Sequence, residues 1–289
     1  MSPIIITDLD NTIYNWVDYF APSFRAMVHA LARVMSLDEE VLIKDFRQVY
    51  ARRQSLEYSY SVQELSACAD RSVSEVAELV RTAKGAFSHV RSKNLKPYDG
   101  VKDTLMWATE RDIRVVGVTN APIFHANQRL KQLHLDGLFH GLAGWKGHEP
   151  TDEFPWTREI RERKDAGGYR SKVERFWSLE QEELKPSPFA YLRIISDLHV
   201  SHKITYVVGD SLQKDIAPAI DIGAIGVWAK YGENFEKKNF DTLLKITHWS
   251  DDKVEEVYNN KSFMPTHTIH SFSELTGIVQ PAQFSLFST

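Results

Sequence analysis

Two apolar patterns alternate along this chain, and their order predicts its architecture. Short runs rich in β-branched residues occur at Ile4–Ile6, Ile113–Val118, Ile204–Val208 and Ala224–Ala229, with a weaker one within Leu135–Ala143. Runs of this length, bounded by polar residues or glycine, predict strands buried on both faces. Elsewhere apolar residues recur at three- and four-residue spacing, as in Phe20, Phe24, Met27, Val28, Leu31 and Met35, then Val41, Leu42, Phe46 and Val49. That spacing predicts amphipathic helices. Strands alternating with helices imply an α/β fold with a doubly wound parallel sheet.

The alternation is interrupted. Residues 15–96 carry helical spacing and no strand pattern, so a helical bundle is expected as an insert after the first strand, with the α/β core spanning 1–14 and 97–289. Asp38 is placed to open one helix, and Ser61-Val-Gln-Glu64 and Ser72-Val-Ser-Glu75 both match the capping box, in which each end satisfies an orphan backbone donor. Pro97 disfavours helix at the residue before it, and Asp99 is placed to cap a helix running to about Arg111. A short helix is expected over Ile216–Ile222. Residues 145–183 are charged with both signs and are expected as an insertion within the core, either a flexible lobe or partial lid or a solvated helix and loop. Phe235–Ser262 is a second polar excursion before strand and helix patterns return at Thr268–Leu275.

Composition narrows the function classes. The 289 residues carry a formal net charge of -4, so no basic surface points to nucleic acid or an anionic membrane. The single cysteine, Cys68, excludes an internal disulfide and fits a reducing compartment. The opening segment lacks a basic leader, and no run approaches membrane-spanning length. A cytoplasmic protein without a membrane partner is expected.

The chemistry collects where the predicted strands end. Asp8 and Asp10 follow the first strand, Thr119 and Asn120 the second, and Asp210, Ser211 and Asp215 the strand at 204–208, while Lys185 stands in Leu184-Lys-Pro-Ser-Pro188 before a helix. In open α/β sheets the carboxyl ends of the strands form the ligand crevice. Asp8 and Asp10 suit two readings: capping of the next turn, or a shared site where a hard cation such as Mg²⁺ relieves the repulsion between two carboxylates. Each other residue alone also has an ordinary reading, as a helix cap, a surface lysine or a solvated acid.

Taken in order, the Asp-x-Asp-x-Thr start, the Thr119 strand end, the Lys185-Pro pair and the Gly209-Asp-x-x-x-x-Asp215 segment resemble the haloacid dehalogenase-like (HAD) hydrolase superfamily. The resemblance implies that Asp8 is a nucleophile forming an aspartyl-phosphate. It implies that Asp10 protonates the leaving oxygen and then activates water, and that Thr119, Asn120 and Lys185 hold the phosphoryl group. It further implies that Asp8, the Asp10 backbone carbonyl and Asp210 hold Mg²⁺, with Ser211 and Asp215 supporting that site. An acid at position 10 favours phosphate esters over organohalides, since halide needs no protonation. The helical insert at 15–96 then corresponds to a substrate-selecting cap, expected to be four-helix-like. The implied substrate is a small phosphorylated metabolite.

Rival readings remain open at this point: a phosphomutase acting on a sugar phosphate through the same nucleophile, and a non-catalytic binding protein that kept the fold. Neither the ester nor the oligomeric state is legible. His199 and His202 have metal-ligand spacing but lack an evident third ligand, and there is no glycine-rich phosphate loop. Trp16, just past the acidic turn, is expected to pack at the hinge of the insert or to stack on a substrate ring. The expectation most open to contradiction is spatial: Asp210 must converge on Asp8 across two hundred residues.

Overall fold

A computed structural model describes residues 2–148, 171–247 and 264–280. Its centre is a sheet of seven parallel strands: β1 (Ile4–Thr7), β2 (Arg114–Pro122), β3 (Gly141–Trp145), β4 (Arg175–Leu179), β5 (Thr205–Gly209), β6 (Ile225–Ala229) and β7 (His267–Ile269). They lie in the order β4-β3-β2-β1-β5-β6-β7, which puts β1 at the middle. The side chains of β1 alternate across the sheet, as the pleat requires. Ile4 and Ile6 pack with Val116, Val118 and Val207 against Tyr191, Ile194 and Ile195 of a helix at Phe189–Asp197. Ile5 faces the opposite side, in the cluster that holds Val101, Leu105 and Ala108 of a helix at Val101–Glu110. Both faces of the sheet are therefore covered, and the apolar runs are continuous because every position is inside.

Between β1 and β2 the chain builds α1 (Trp16–Met35), α2 (Glu39–Arg53) and α3 (Val73–Asn94). Asn15 accepts from the Asp18 amide at 2.9 Å to start α1, and Asp38 accepts from the Glu40 amide at 2.8 Å to start α2. Phe24, Phe46 and Tyr50 join α1 to α2 through ring contacts with centroids 5.3–6.2 Å apart. The insert thus has three α-helices and two single 3₁₀ turns, at Val62–Glu64 and Ser66–Cys68, rather than four helices.

Among the described residues the α-helices of the core are α4 (Val101–Glu110), α5 (Ile123–Gln132), α6 (Phe189–Asp197), α7 (Ala217–Asp221), α8 (Lys237–Ile246) and α9 (Leu275–Ile278). Several local expectations need correction. Ser72 and Glu75 form the full capping box of α3, but Ser61 makes no capping bond. Its expected partner Glu64 is taken by Arg53, whose Nε donates at 2.9 Å, and by the Tyr58 hydroxyl. Charge pairing outcompetes a neutral cap there. Asp99 does not cap α4 either: the cap is Gly100 in the left-handed region at φ 77°, where a glycine needs no help from a side chain.

The segment 145–183 is not wholly an insertion. Trp145 ends β3, and Arg175–Leu179 forms the edge strand β4, registered so that Ala143 pairs with Trp177. Residues 149–170, the centre of the expected lobe, lie outside the described residues. The polar stretch at 235–262 holds the amphipathic α8, which docks on the helical insert: Arg25 of α1 donates to Thr242 at 2.7 Å and to Asn239 at 2.8 Å. Residues 248–263 of that stretch are likewise outside the described residues. Among the described residues, no helix is long and apolar enough to cross a membrane.

Candidate active site

Register explains why distant acids meet. Thr7 pairs with Val208, and the Asp8 amide donates to the Val208 carbonyl at 2.8 Å, so β1 and β5 end level. Asp8 leaves one strand where Asp210 leaves its neighbour. Carboxylate oxygens of Asp8, Asp210 and Asp215 all lie within 4.8 Å of one another. Asp215 reaches this point because Gly209 has no side chain: a Cβ there would lie 2.2 Å from the Asp215 carboxyl carbon. A Cβ at Gly232 would meet the Asn11 carbonyl oxygen at 2.1 Å and the Asp210 Cβ at 2.7 Å, so that loop presses bare backbone against the turn. The Trp228 indole N–H donates to the Asp210 carbonyl at 2.9 Å and steadies the loop after β5.

Lys185 brings a buried ammonium into contact with two of these acids. Lys185 Nζ donates to Asp8 Oδ1 at 2.6 Å and to Asp215 Oδ1 at 2.7 Å. Its main chain is fixed by Asn120, whose Oδ1 accepts from the Lys185 amide at 2.9 Å and whose Nδ2 donates to the Lys185 carbonyl at 2.7 Å. Asn120 therefore places Lys185 rather than pointing at the acids itself. Ser211 donates its amide to Asp215 Oδ2 at 3.2 Å, and the Tyr191 hydroxyl donates to Asp215 Oδ1 at 3.4 Å.

The electrostatics follow from burial and from three acids gathered around the buried Lys185 ammonium. Burial pushes the Asp8 carboxyl up to about 7, with Lys185 opposing and Asp215 and Asp10 adding to the rise. Burial, then Asp8 and Asp215, hold Asp210 well above the carboxylate range. Burial works against the Lys185 ammonium, yet Asp215 and Asp8 outweigh it and keep the lysine firmly charged. A set of hard oxygen donors with excess negative charge fits a divalent cation of the Mg²⁺ kind. Among the described residues this is the one grouping of metal-type side chains, and neither His199 nor His202 joins one.

Asp10 stands apart from that trio. The turn carries it away from β1: Asn11 adopts φ 57°, and its Oδ1 accepts from the Trp16 amide at 3.0 Å. Asp10 Oδ2 accepts from the Thr119 hydroxyl at 3.4 Å, and Oδ1 lies 3.7 Å from Arg129 Nη1. Thr119 stands where β2 bulges, and its hydroxyl also accepts from the Ala121 amide at 3.1 Å. Burial raises the Asp10 carboxyl, Arg129 opposes the rise, and Glu57 adds to it. The Asp10 side chain is not in the acidic trio, so any hold it has on a cation falls to its backbone carbonyl.

Arg129 and Glu57 do not stand out in the sequence. Arg129 lies on the buried stripe Ala126–Arg129–Leu130 of α5 and is 2% exposed. Its guanidinium donates to Glu57 through Nη1 and, at 3.2 Å, through Nη2, and also to the Tyr19 hydroxyl. Glu57 further accepts from the Trp16 indole at 2.6 Å. The signal that could have found Arg129 is a charged residue at a helix position flanked by apolar neighbours on the same stripe; a buried charge implies a partner. Trp16 also stacks on Phe20, centroids 4.7 Å apart, so it both packs within the insert and bonds to Glu57.

Comparison with known proteins agrees with this geometry. The family model described as haloacid dehalogenase-like hydrolase matches residues 5–149, and a second, described as HAD-hydrolase-like, matches 184–275. No curated protein matches the chain. Among solved structures, a HAD phosphatase from Thermococcus onnurineus aligns with a TM-score of 0.54 at 18% identity, covering 96% of this chain and 97% of its own. A 2-haloacid dehalogenase from Pseudomonas syringae aligns with a TM-score of 0.53 at 16% identity, covering 96% and 98%. At such identities the likeness is one of fold. With the motifs, the strand-end acids and the family models in agreement, the chain belongs to the haloacid dehalogenase-like hydrolases and is an enzyme of the hydrolase class.

Proposed function

We propose that the protein hydrolyses a small phosphomonoester through an aspartyl-phosphate on Asp8, with Mg²⁺ as its cofactor. The observation that carries this reading is the convergence of Asp8, Asp210, Asp215 and the Lys185 ammonium at the ends of β1 and β5. Asp8 Oδ attacks phosphorus, and the bond from phosphorus to the ester oxygen breaks. Asp10 gives its proton to that departing oxygen. In the second step Asp10 takes a proton from water, the water oxygen bonds to phosphorus, and the Asp8–phosphorus bond breaks to release phosphate. Lys185 offsets charge on the phosphoryl oxygens, and the Thr119 hydroxyl and neighbouring amides position them. Asp8 and Asp210, with the Asp10 carbonyl, would hold the cation, while Asp215 supports them from within the same acidic trio. Bound there, the cation supplies the positive charge that lets a phosphate dianion approach a carboxylate.

The presence of Asp10 supports a phosphate ester over an organohalide, because an ester oxygen needs a proton to leave and a halide does not. The leaving group would occupy the cleft between residues 57–60 of the insert and Pro122, His125 and Gly147 of the core, which is consistent with the insert acting as a cap. Cys68 is free and buried, compatible with the proposed cytoplasmic setting.

Asp8→Asn is the deciding variant. Turnover of 4-nitrophenyl phosphate with Mg²⁺ should fall by roughly 10⁴-fold or more, with the circular dichroism spectrum unchanged. Full activity in Asp8→Asn sinks the covalent mechanism.

A further inference from the structure

The Arg129 cluster takes no part in the reaction steps above, yet it stands between the acid and the insert. Arg129 is buried and belongs to the core helix α5. Two of its partners, Tyr19 and Glu57, belong to the helical insert, and its third neighbour, Asp10, belongs to the turn after β1. The rings of Tyr14 and Tyr19 flank the guanidinium at 5.6 and 5.9 Å. Asp10 Oδ1 is buried without a hydrogen bond of good geometry, Arg129 Nη1 lies 3.7 Å from it, and the Tyr14 hydroxyl and Lys185 also favour the ionised carboxyl, less strongly than Arg129 does. The Asp10 carboxylate thus has one oxygen tied to Thr119 and the other oriented by a charge held just beyond bonding range.

We propose that Arg129 is a positioning residue for Asp10, and that Glu57 and Tyr19 of the insert hold Arg129 in place, so that seating of the insert on the core presents Asp10 to the leaving oxygen. The proposal rests on the phosphatase reading above and adds how the insert reaches the chemistry. A rigid planar fork suits this role. Arg129 Nη1 donates to both Glu57 and Tyr19 and is also the atom 3.7 Å from Asp10, while Nη2 donates to Glu57, a planar arrangement that a lysine ammonium cannot reproduce. Because Asp10 acts on the leaving oxygen, its misplacement should hurt esters of poor leaving groups most. A residue that only shapes the fold would lower all esters alike.

The experiment compares kcat/KM on 4-nitrophenyl phosphate, whose leaving oxygen needs little protonation, with phenyl phosphate, whose oxygen needs more. Asp10→Asn sets the reference for full loss of the acid. Arg129→Met should lose at least about tenfold more on phenyl phosphate than on 4-nitrophenyl phosphate, and Arg129→Lys should recover part of that difference. Glu57→Gln, which keeps shape and polarity, should move in the same direction by less, and it carries the test if Arg129→Met does not fold. In the Asp10→Asn background, adding Arg129→Lys should cost nothing further on phenyl phosphate, since the two act through one group. Equal losses on both esters in Arg129→Lys and Glu57→Gln overturn the proposal while leaving the phosphatase reading intact. Absence of turnover of both esters by the unaltered protein overturns the phosphatase reading and this proposal together.

Discussion

Two buried charge clusters flank the turn at residues 8–15, and they are balanced differently. On one side three carboxylates, Asp8, Asp210 and Asp215, gather around the buried ammonium of Lys185. On the other, Asp10 and Glu57 share the Arg129 guanidinium, and neutral groups of Trp16, Tyr19 and Thr119 complete the set. The consequences differ in sign. Burial and mutual repulsion push Asp8 up to about 7, whereas Glu57, despite burial, is held below its ordinary value by Arg129 and His125. The first cluster has acid to spare for an additional positive charge. The second is nearly closed and suits holding groups still. A site that must bind and release a charged ligand needs the former, and a joint between two parts of the chain needs the latter.

Removing Lys185 should break the first cluster hardest. Lys185→Met leaves the acids without their one buried ammonium, and breaking a buried pair from one side costs about 3–5 kcal/mol. Urea unfolding in the presence of a chelator should show a loss of that order, alongside loss of hydrolysis. Unchanged stability would mean that the acids are neutralised by some other route and that the excess of negative charge is not there.

Asp8 offers the opposite sign. In the folded chain burial pushes its carboxyl up to about 7, against about 3.9 in the unfolded chain. Between those values the folded state holds a proton that the unfolded state has released, so Asp8 contributes a loss of stability to the cation-free protein as pH rises from about 4 to about 7. Asp8→Asn should remove that share of the dependence and stabilise the cation-free protein at pH 8. A cation favours the ionised form, so Mg²⁺ affinity should strengthen with pH through the same window, by up to about tenfold per pH unit below 7 for each proton displaced. Calorimetric titrations in buffers of different ionisation enthalpy measure that proton release directly. Affinity independent of pH between about 5.5 and 7 would separate Asp8 from the cation.

The two clusters also differ in how far the sequence foretold them. The first was legible because its members close strand patterns: Ile4–Thr7 and Thr205–Gly209 end in acid, and the parallel register of β1 and β5 does the rest. Lys185 was legible through its place in an ordered set of motifs, but its anchoring by Asn120 was not, since an amide bonded to a backbone 65 positions away leaves no local pattern. Arg129 and Glu57 belong to helix and loop segments whose relation depends on how the insert docks, and docking has no period to read. Edge strand β4 was missed for a different reason. Arg175, Phe176 and Ser178 are exposed and only Trp177 and Leu179 are buried, so five residues carry too little alternation to stand out from a charged surrounding. The helix at Lys237–Ile246 was hidden in polar text because it is buried through Asn239, Leu243 and Ile246 alone and docks on α1 through hydrogen bonds.

The smallest expected effect separates packing from bonding at Trp16. The indole ring stacks on Phe20, and its N–H donates to Glu57 at 2.6 Å. Trp16→Phe keeps an aromatic face against Phe20 and deletes the donor. A hydrogen bond to a buried carboxylate contributes about 1.5–3 kcal/mol, but Arg129 still faces Glu57, so the loss should sit at or below the lower end, about 1–1.5 kcal/mol. If the indole acts through Glu57, Trp16→Phe should cost less in a Glu57→Gln background, because the charge that strengthened the bond is gone. Equal costs in both backgrounds would assign Trp16 to packing alone and leave Glu57 held by Arg129 without help from the hinge.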